Sequence, residues 1–338
     1  MLEFSYTARN VMRLEAFSPL AQIIRRAGYQ GSFPPTQGAF ARLHRDVQTA
    51  LRSGHPEWIS ADRLHVLLEG RECVVKVDLQ NTQFIGADLE VSNFRLGYEP
   101  EILMCIDALV PDDGVLVDVG ANWGYFPIYL YSRTGFRGRC LAVEPSDRAY
   151  RDLVSVIGAI GASERILAMP LAMGDHPAVI AIQEELWTGN NKVAAPTAGG
   201  KDGDTRQKAF CETLDAVMSR VGYDALHVLK IDVEGAEAAV IRGAAETINK
   251  YRPTIIFESW LEESEDTTLL PFRTLTDVNG RYLFYVAEPR QTSDDRSFSG
   301  QLRQIQPAER PLLPARINVI AVPDDELIRS VAAYRPST

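Results

Sequence analysis

Short apolar runs, four of them ending in an acid, recur through the middle of the chain with helical spacings between them. Val115, Leu116, Val117 and Val119 form one such run, of the kind that suits a strand covered on both faces. A second ends at Val143, a third spans Ile166 to Met169, and further runs cover Val228 to Ile231 and Thr254 to Phe257. Between the last two, Ala236, Val240, Ala244 and Ile248 keep a four-residue spacing and predict one helix. Tyr282 to Val286 and Ile317 to Val322 alternate and predict two closing antiparallel strands, joined by an ordinary polar connector with prolines from Thr292 to Pro314. Strands alternating with helices predict an α/β fold with a doubly wound sheet.

The amino-terminal part reads differently. Val11, Leu14, Phe17, Leu20, Ile23 and Ile24 recur at three- and four-residue steps, which predicts helix from Ala8 to Gly28, divided by Pro19. Phe40, Leu43, Val47 and Leu51 predict another helix. Arg63 to Gln80 runs apolar on either side of Glu69 and Gly70 and predicts a β-hairpin. Met1 to Asn93 is therefore assigned to a smaller amino-terminal α+β subdomain, and residues 94–338 to the main domain. Val179 to Ile182 predicts one more strand, after which Thr188 to Lys208 loses all periodicity. A long irregular loop in a compact domain is commonly functional or disordered, and this one is a candidate lid.

The candidate chemistry lies where the apolar runs end. Asp118, Gly120, Ala121, Asn122 and Gly124 make a strand–turn–helix junction, with Ser146 as a natural cap for the helix after the next strand. The acid-x-Gly-x-x-x-Gly spacing departs from the G-x-G-x-x-G fingerprint of dinucleotide sites. A carboxylate before the turn repels a phosphate and accepts from an ammonium or hydroxyl, which favours S-adenosylmethionine over NAD. Glu144, followed by Pro145, stands where an acid can accept from both hydroxyls of a ribose. Asp175 is a candidate for the adenine amino group, with the backbone of Leu171 to Met173 as the alternative. Asp232, Glu234 and Glu258 are the candidate catalytic groups, since carboxylates at adjacent strand ends can orient or take a proton. The same three could supply hard oxygen ligands for a divalent metal, a second option to bonding acceptor hydroxyls. His227 opens its strand at the far end of the sheet and reads as structural.

Taken in order, DVGANWGYF at Asp118 to Phe126, AVEP at Ala142 to Pro145, TLD at Thr213 to Asp215, LKIDVEGAEAAVIRGA at Leu229 to Ala244 and RPTIIFE at Arg252 to Glu258 resemble the FkbM-type methyltransferases, a branch of the class I S-adenosylmethionine-dependent enzymes. GYEPEI, Gly97 to Ile102, is similar to that family's lead-in helix, and the likeness runs from about Gly97 to Val322. The resemblance implies a Rossmann-like seven-stranded sheet with helices on both faces, S-adenosylmethionine as cofactor, and O-methylation of a hydroxyl on a sugar, glycan or polyketide-like acceptor. An NAD-dependent oxidoreductase or epimerase, and a cofactor-binding module without catalysis, are the alternatives.

Composition narrows the partners. A formal net charge of -10 gives no general attraction for nucleic acid or an anionic membrane, so a small-molecule or glycan acceptor is expected, with self-association left open. Cys73, Cys105, Cys140 and Cys211 show no pairing pattern and no zinc-like spacing. No apolar run approaches the roughly 20 residues that span a bilayer, and no signal-peptide pattern opens the chain. The expected compartment is the cytoplasm.

Overall fold

The computed structural model describes residues 1–7, 13–16, 63–68, 71–76, 99–183, 192–193, 207–290 and 297–334. In chain order it begins with strands β1 (Leu2–Thr7), β2 (Arg13–Ala16), β3 (Arg63–Leu68) and β4 (Arg71–Lys76). Next come helix α1 (Pro100–Leu109), β5 (Val115–Val119), α2 (Tyr125–Ser132), β6 (Arg139–Val143), α3 (Asp147–Ala159) and β7 (Ile166–Met169). Four strands, β8 (Leu171–Met173), β9 (Ala178–Gln183), β10 (Lys192–Val193) and β11 (Gln207–Glu212), precede α4 (Leu214–Val221) and β12 (Val228–Ile231). After these follow α5 (Glu237–Arg242), α6 (Ala245–Tyr251), β13 (Thr254–Trp260), α7 (Glu265–Val278), β14 (Leu283–Arg290) and β15 (Ser297–Ile305). A 3-10 helix (Pro307–Leu312), β16 (Arg316–Val322) and α8 (Asp325–Ala333) complete the chain.

Nine strands form the large sheet in the order β1-β15-β14-β16-β13-β12-β5-β6-β7. The seven from β14 to β7 carry the expected sheet, parallel from β13 to β7, with β14 and β16 antiparallel at the other end. Two strands go beyond the expected seven, because β15 pairs with β14 and β1 pairs with β15. The connector from Thr292 to Pro314 is thus not simply polar coil. Its alternation is disguised by Gly300, where a Cβ would stand 2.2 Å from the Glu288 carbonyl oxygen, so the neighbouring strand admits only glycine there.

Period-two alternation sorts the strand residues between two cores. Val115, Val117, Val119, Leu229, Ile231, Ile255 and Phe257 face α4, α5, α6 and α7, where Val217, Val240, Ile248 and Phe272 are buried. Leu116, Val228, Ile256 and Ile320 face the other way, among Ile106 of α1, Tyr129 of α2, Leu153 of α3 and Val331 of α8. Asp118, Lys230 and Glu258 share this second parity, so the pleat turns them toward one face.

The remaining expectations divide. The hairpin forms as β3 and β4, and a smaller sheet runs β10-β9-β11-β8. Arg13 to Ala16 is strand rather than helix, because it pairs antiparallel with β3 and the hairpin edge supplies its backbone partners. The other helices expected before residue 63, and the candidate lid apart from Lys192–Val193 and Gln207–Lys208, lie outside the described residues. The helix read through Ala236 to Ile248 is two helices, since Asp215 N donates to the Gly243 carbonyl and the Asp215 carboxylate accepts from Glu246 N and Thr247 N, which interrupts the helical ladder there. No helix among the described residues is long and apolar enough to cross a membrane.

Candidate active site

Strand order reverses between β5 and β12, and in doubly wound sheets ligands bind beyond the carboxyl ends of the strands at that point. The turn after β5 is built for close approach. Gly120 has φ +79°, and a Cβ on it would stand 1.8 Å from the Asp232 carbonyl oxygen, so any side chain there would drive β5 and β12 apart. Gly120 and Ala121 donate their N–H groups to the Val143 carbonyl at 2.9 and 3.0 Å, which ties the turn to the end of β6. Asn122 and Gly124 both take positive φ, and Gly124 then starts α2.

Glu144 completes this cradle. Its Oε2 accepts from Asn122 N at 2.9 Å and its Oε1 from Ser146 N at 2.8 Å, which fixes the carboxylate plane. A carboxylate has about four acceptor positions, so each oxygen keeps one for a ligand hydroxyl. Burial pushes the Glu144 carboxyl up to about 7, although both N–H groups favour its charged form. Ser146 also caps α3 through Ala149 N, as its position in the sequence predicts.

Asp118 and Lys230 are register neighbours across β5 and β12. Lys230 Nζ lies 3.4 Å from Asp118 Oδ1 and 3.2 Å from Asp232 Oδ2, and 5.0 Å from the centre of the Phe126 ring. Burial opposes the ammonium charge, but Asp118, Asp232 and Glu99 outweigh it and hold the group above its ordinary value. Burial pushes the Asp118 carboxyl up, and Lys230 draws it back down.

Beside this pair the three candidate catalytic carboxylates meet. Asp232, Glu234 and Glu258 each present one oxygen, and the three oxygens lie within 4.8 Å of one another. The β12–β13 register explains two of them, since one step past Ile231↔Phe257 sets Asp232 beside Glu258. Glu234 is brought in by a turn in which it adopts φ +55° and Gly235 φ +104°, a strained conformation for a residue with a side chain. That turn is stapled by Glu237, whose Oε1 accepts from Val233 N and Gly235 N. Glu258 accepts from Trp260 Nε1 at 2.6 Å and from Arg316 Nε. Burial and the neighbouring Glu258 and Asp232 push the Glu234 carboxyl up to about 9. The Glu258 carboxyl is also raised, by burial and then by Asp232.

Four residues that sequence reasoning passed over complete the site. Glu99, with φ 47° at the start of α1, is raised by burial and by Asp232, and its Oε1 accepts from Asn318 Nδ2 at 3.2 Å. Asn318 faces Glu258 across β13 and β16, Arg316 pairs with Glu258, and Lys230 sits between Asp118 and Asp232. Lys230 had a readable signal, a lysine inside an apolar run. Glu99, Arg316 and Asn318 had none, since only the fold brings them together around Glu258.

Other candidates hold the scaffold or sit apart. Asp215 of the TLD segment accepts from Glu246 N and Thr247 N and so anchors the start of α6. His227 Nδ1 accepts from Val115 N, and burial lowers its pKa, which suits an uncharged structural imidazole. Asp175 is engaged at both oxygens, with His176 Nδ1 2.7 Å from Oδ1 and Arg242 Nη2 2.9 Å from Oδ2. His176 and Arg242 hold its carboxyl below the usual range.

Residues 118–284 match the methyltransferase FkbM domain family. Among solved structures, the chain is similar to the methyltransferase FkbM of Methylobacillus flagellatus KT, with 18% identity and a TM-score of 0.38 over 67% of this chain and 56% of that one. It is similar to an O-methyltransferase from Bacillus cereus in complex with SAH, with 12% identity and a TM-score of 0.35 over 72% of this chain and 90% of that one. Among curated proteins, it is 23% identical over 237 residues to the AMB antimetabolite synthetase AmbE of Pseudomonas aeruginosa. That match covers 61% of this chain but only 10% of the synthetase, so the chain spans about a tenth of that relative's length.

Proposed function

Because the chain belongs to the FkbM methyltransferase family through residues 118–284, we propose that it is an S-adenosylmethionine-dependent O-methyltransferase acting on a hydroxyl of a sugar, glycan or polyketide-like acceptor. The observation that carries this reading is the meeting of Asp232, Glu234 and Glu258 beside the Gly120 turn.

The residues fit the cofactor. Glu144 offers a fixed carboxylate with free acceptor positions for a ribose diol, and Pro145 follows it. The Asp118 carboxylate is buried, with neither oxygen hydrogen-bonded except through the Lys230 ion pair, and can answer an ammonium. Gly120, Ala121, Asn122 and Gly124 form the tight turn beside it, held so close to Asp232 and Leu153 that neither glycine admits a side chain. When bound, S-adenosylmethionine supplies an electrophilic methyl group on a sulfonium. Asp175, with His176 on Oδ1 and Arg242 on Oδ2, keeps an acceptor position on Oδ1 that an adenine amino group could use.

The chain's own task is to hold an acceptor oxygen in line and to remove its proton. Asp232 adjoins the cofactor turn through its backbone contact with Gly120, and Glu234 has a raised proton affinity. Either can take or orient the hydroxyl proton, while Glu258 is held still by Trp260 and Arg316. A relative named as an antimetabolite synthetase supports a natural-product acceptor. A labelled-methyl transfer assay over glycans, sugar nucleotides, glycosylated metabolites, amines and thiols tests the proposal. Label on oxygen is expected, with Asp232→Asn keeping cofactor affinity and losing roughly 10² to 10⁴ in kcat. Label found only on nitrogen or sulfur would overturn it.

A further inference from the structure

The three carboxylates at the acceptor side have the dimensions of a coordination sphere. Their oxygens lie within 4.8 Å of one another, and two oxygens bound to one hard divalent ion at about 2.0–2.6 Å can be no more than roughly 4–5 Å apart. A single ion could therefore touch all three.

Crowded acids alone are common, but Glu234 adds a second observation. It is 9% exposed, and its Oε1 meets neither solvent nor a hydrogen-bond donor. The charged groups that act on it are Glu258, Asp232, Arg316 and Glu237, and three of these four are acids. A buried carboxylate oxygen left without a partner is costly, and three of the four charged residues around this one repel it.

Nearby cations do not answer it. Lys230 is committed to Asp118 and Asp232, and Arg316 to Glu258. Glu258 takes one donor on each oxygen and keeps a further acceptor position on both, so Trp260 and Arg316 act as the outer partners that orient a ligating carboxylate.

We propose that Asp232, Glu234 and Glu258 form a binding site for a hard divalent cation of the magnesium, manganese or calcium class. The donor set is all oxygen, without the nitrogen or sulfur ligands typical of zinc and copper sites. Each residue offers one ligand oxygen, so ligation leaves Glu234 a second oxygen to receive an acceptor proton. Bound there, the ion would grip the acceptor's hydroxyl oxygen and position it. That last role rests on the proposed methyl transfer, whereas ion binding does not.

The test titrates Mn²⁺ into the full-length chelator-treated protein, with free Mn²⁺ followed by electron paramagnetic resonance and Mg²⁺ and Ca²⁺ added as competitors. One ion per chain is expected, displaced by both competitors. Glu234→Gln and Glu258→Gln should each weaken binding by about tenfold or more, with far-UV circular dichroism unchanged. Absence of Mn²⁺ binding, or equal binding by both variants, overturns the site. Calorimetric titration of the same protein with S-adenosylhomocysteine separates the two readings. Cofactor product bound without Mn²⁺ removes only the cation, while Mn²⁺ bound without cofactor product removes only the methyltransferase reading.

Discussion

Glu144 illustrates how the fold fixes one carboxylate and leaves it able to accept from a ligand. Its plane is fixed by Asn122 N and Ser146 N, and burial pushes its carboxyl up to about 7 with Asp118 and Asp232 adding repulsion. The folded protein thus binds this proton more tightly than the unfolded chain does. The stabilising contribution is full below the ordinary value of 4.5 and is lost as pH rises through about 7. A ribose diol requires the charged form, so S-adenosylhomocysteine affinity should fall as pH drops from about 8 to about 6. Glu144→Gln should flatten that slope and weaken binding by about 1.5–3 kcal/mol, which calorimetric titration would measure. A slope that survives the substitution would place the titrating group elsewhere. Glu144 was legible in the sequence because an acid ending a buried strand has few other uses. Glu99 was not, because its distance from β12 in the sequence hides a contact made only when α1 packs.

At the level of the element, register does what spacing cannot. Asp118 and Lys230 stand side by side because β5 and β12 pair in parallel, and both are buried. Breaking such a pair from one side leaves an uncompensated buried charge. Lys230→Met should therefore cost about 3–5 kcal/mol in urea unfolding, and Asp118→Asn in the same chain should restore much of it. Additive losses in the double variant would mean that the pair is not coupled. The same scale explains two departures from the sequence reading. The four-residue apolar spacing runs unbroken across Gly243, so nothing in the periodicity signals that Asp215, from another helix, takes the backbone groups at the break. Arg13 to Ala16 fits helical spacing, yet the edge of β3 offers a ladder that local preference cannot anticipate.

Across the whole molecule, the large sheet ends on strands drawn from opposite ends of the chain, with β1 covering β15. Phe4 is 4% exposed in this contact and sits where only Gly300 allows room. Removing residues 1–7 should lower stability by at least about 3 kcal/mol, the usual loss for a buried phenylalanine, and leave β15 as an open edge. Self-association of the shortened protein in analytical ultracentrifugation is the expected sign, and an unchanged, monodisperse, equally stable protein would show that β1 contributes little. The sequence by itself determined the strand–helix alternation, the Gly120 turn and the acids at the ends of β5, β6, β12 and β13, because apolar period and turn chemistry are local properties of a chain. Only the tertiary structure decided that Lys230 neutralises Asp118, that Glu99, Arg316 and Asn318 join Glu258, and that two further strands extend the sheet. Those are contacts between residues far apart in sequence, and register, close backbone approach and burial acquire values only once the sheet has formed.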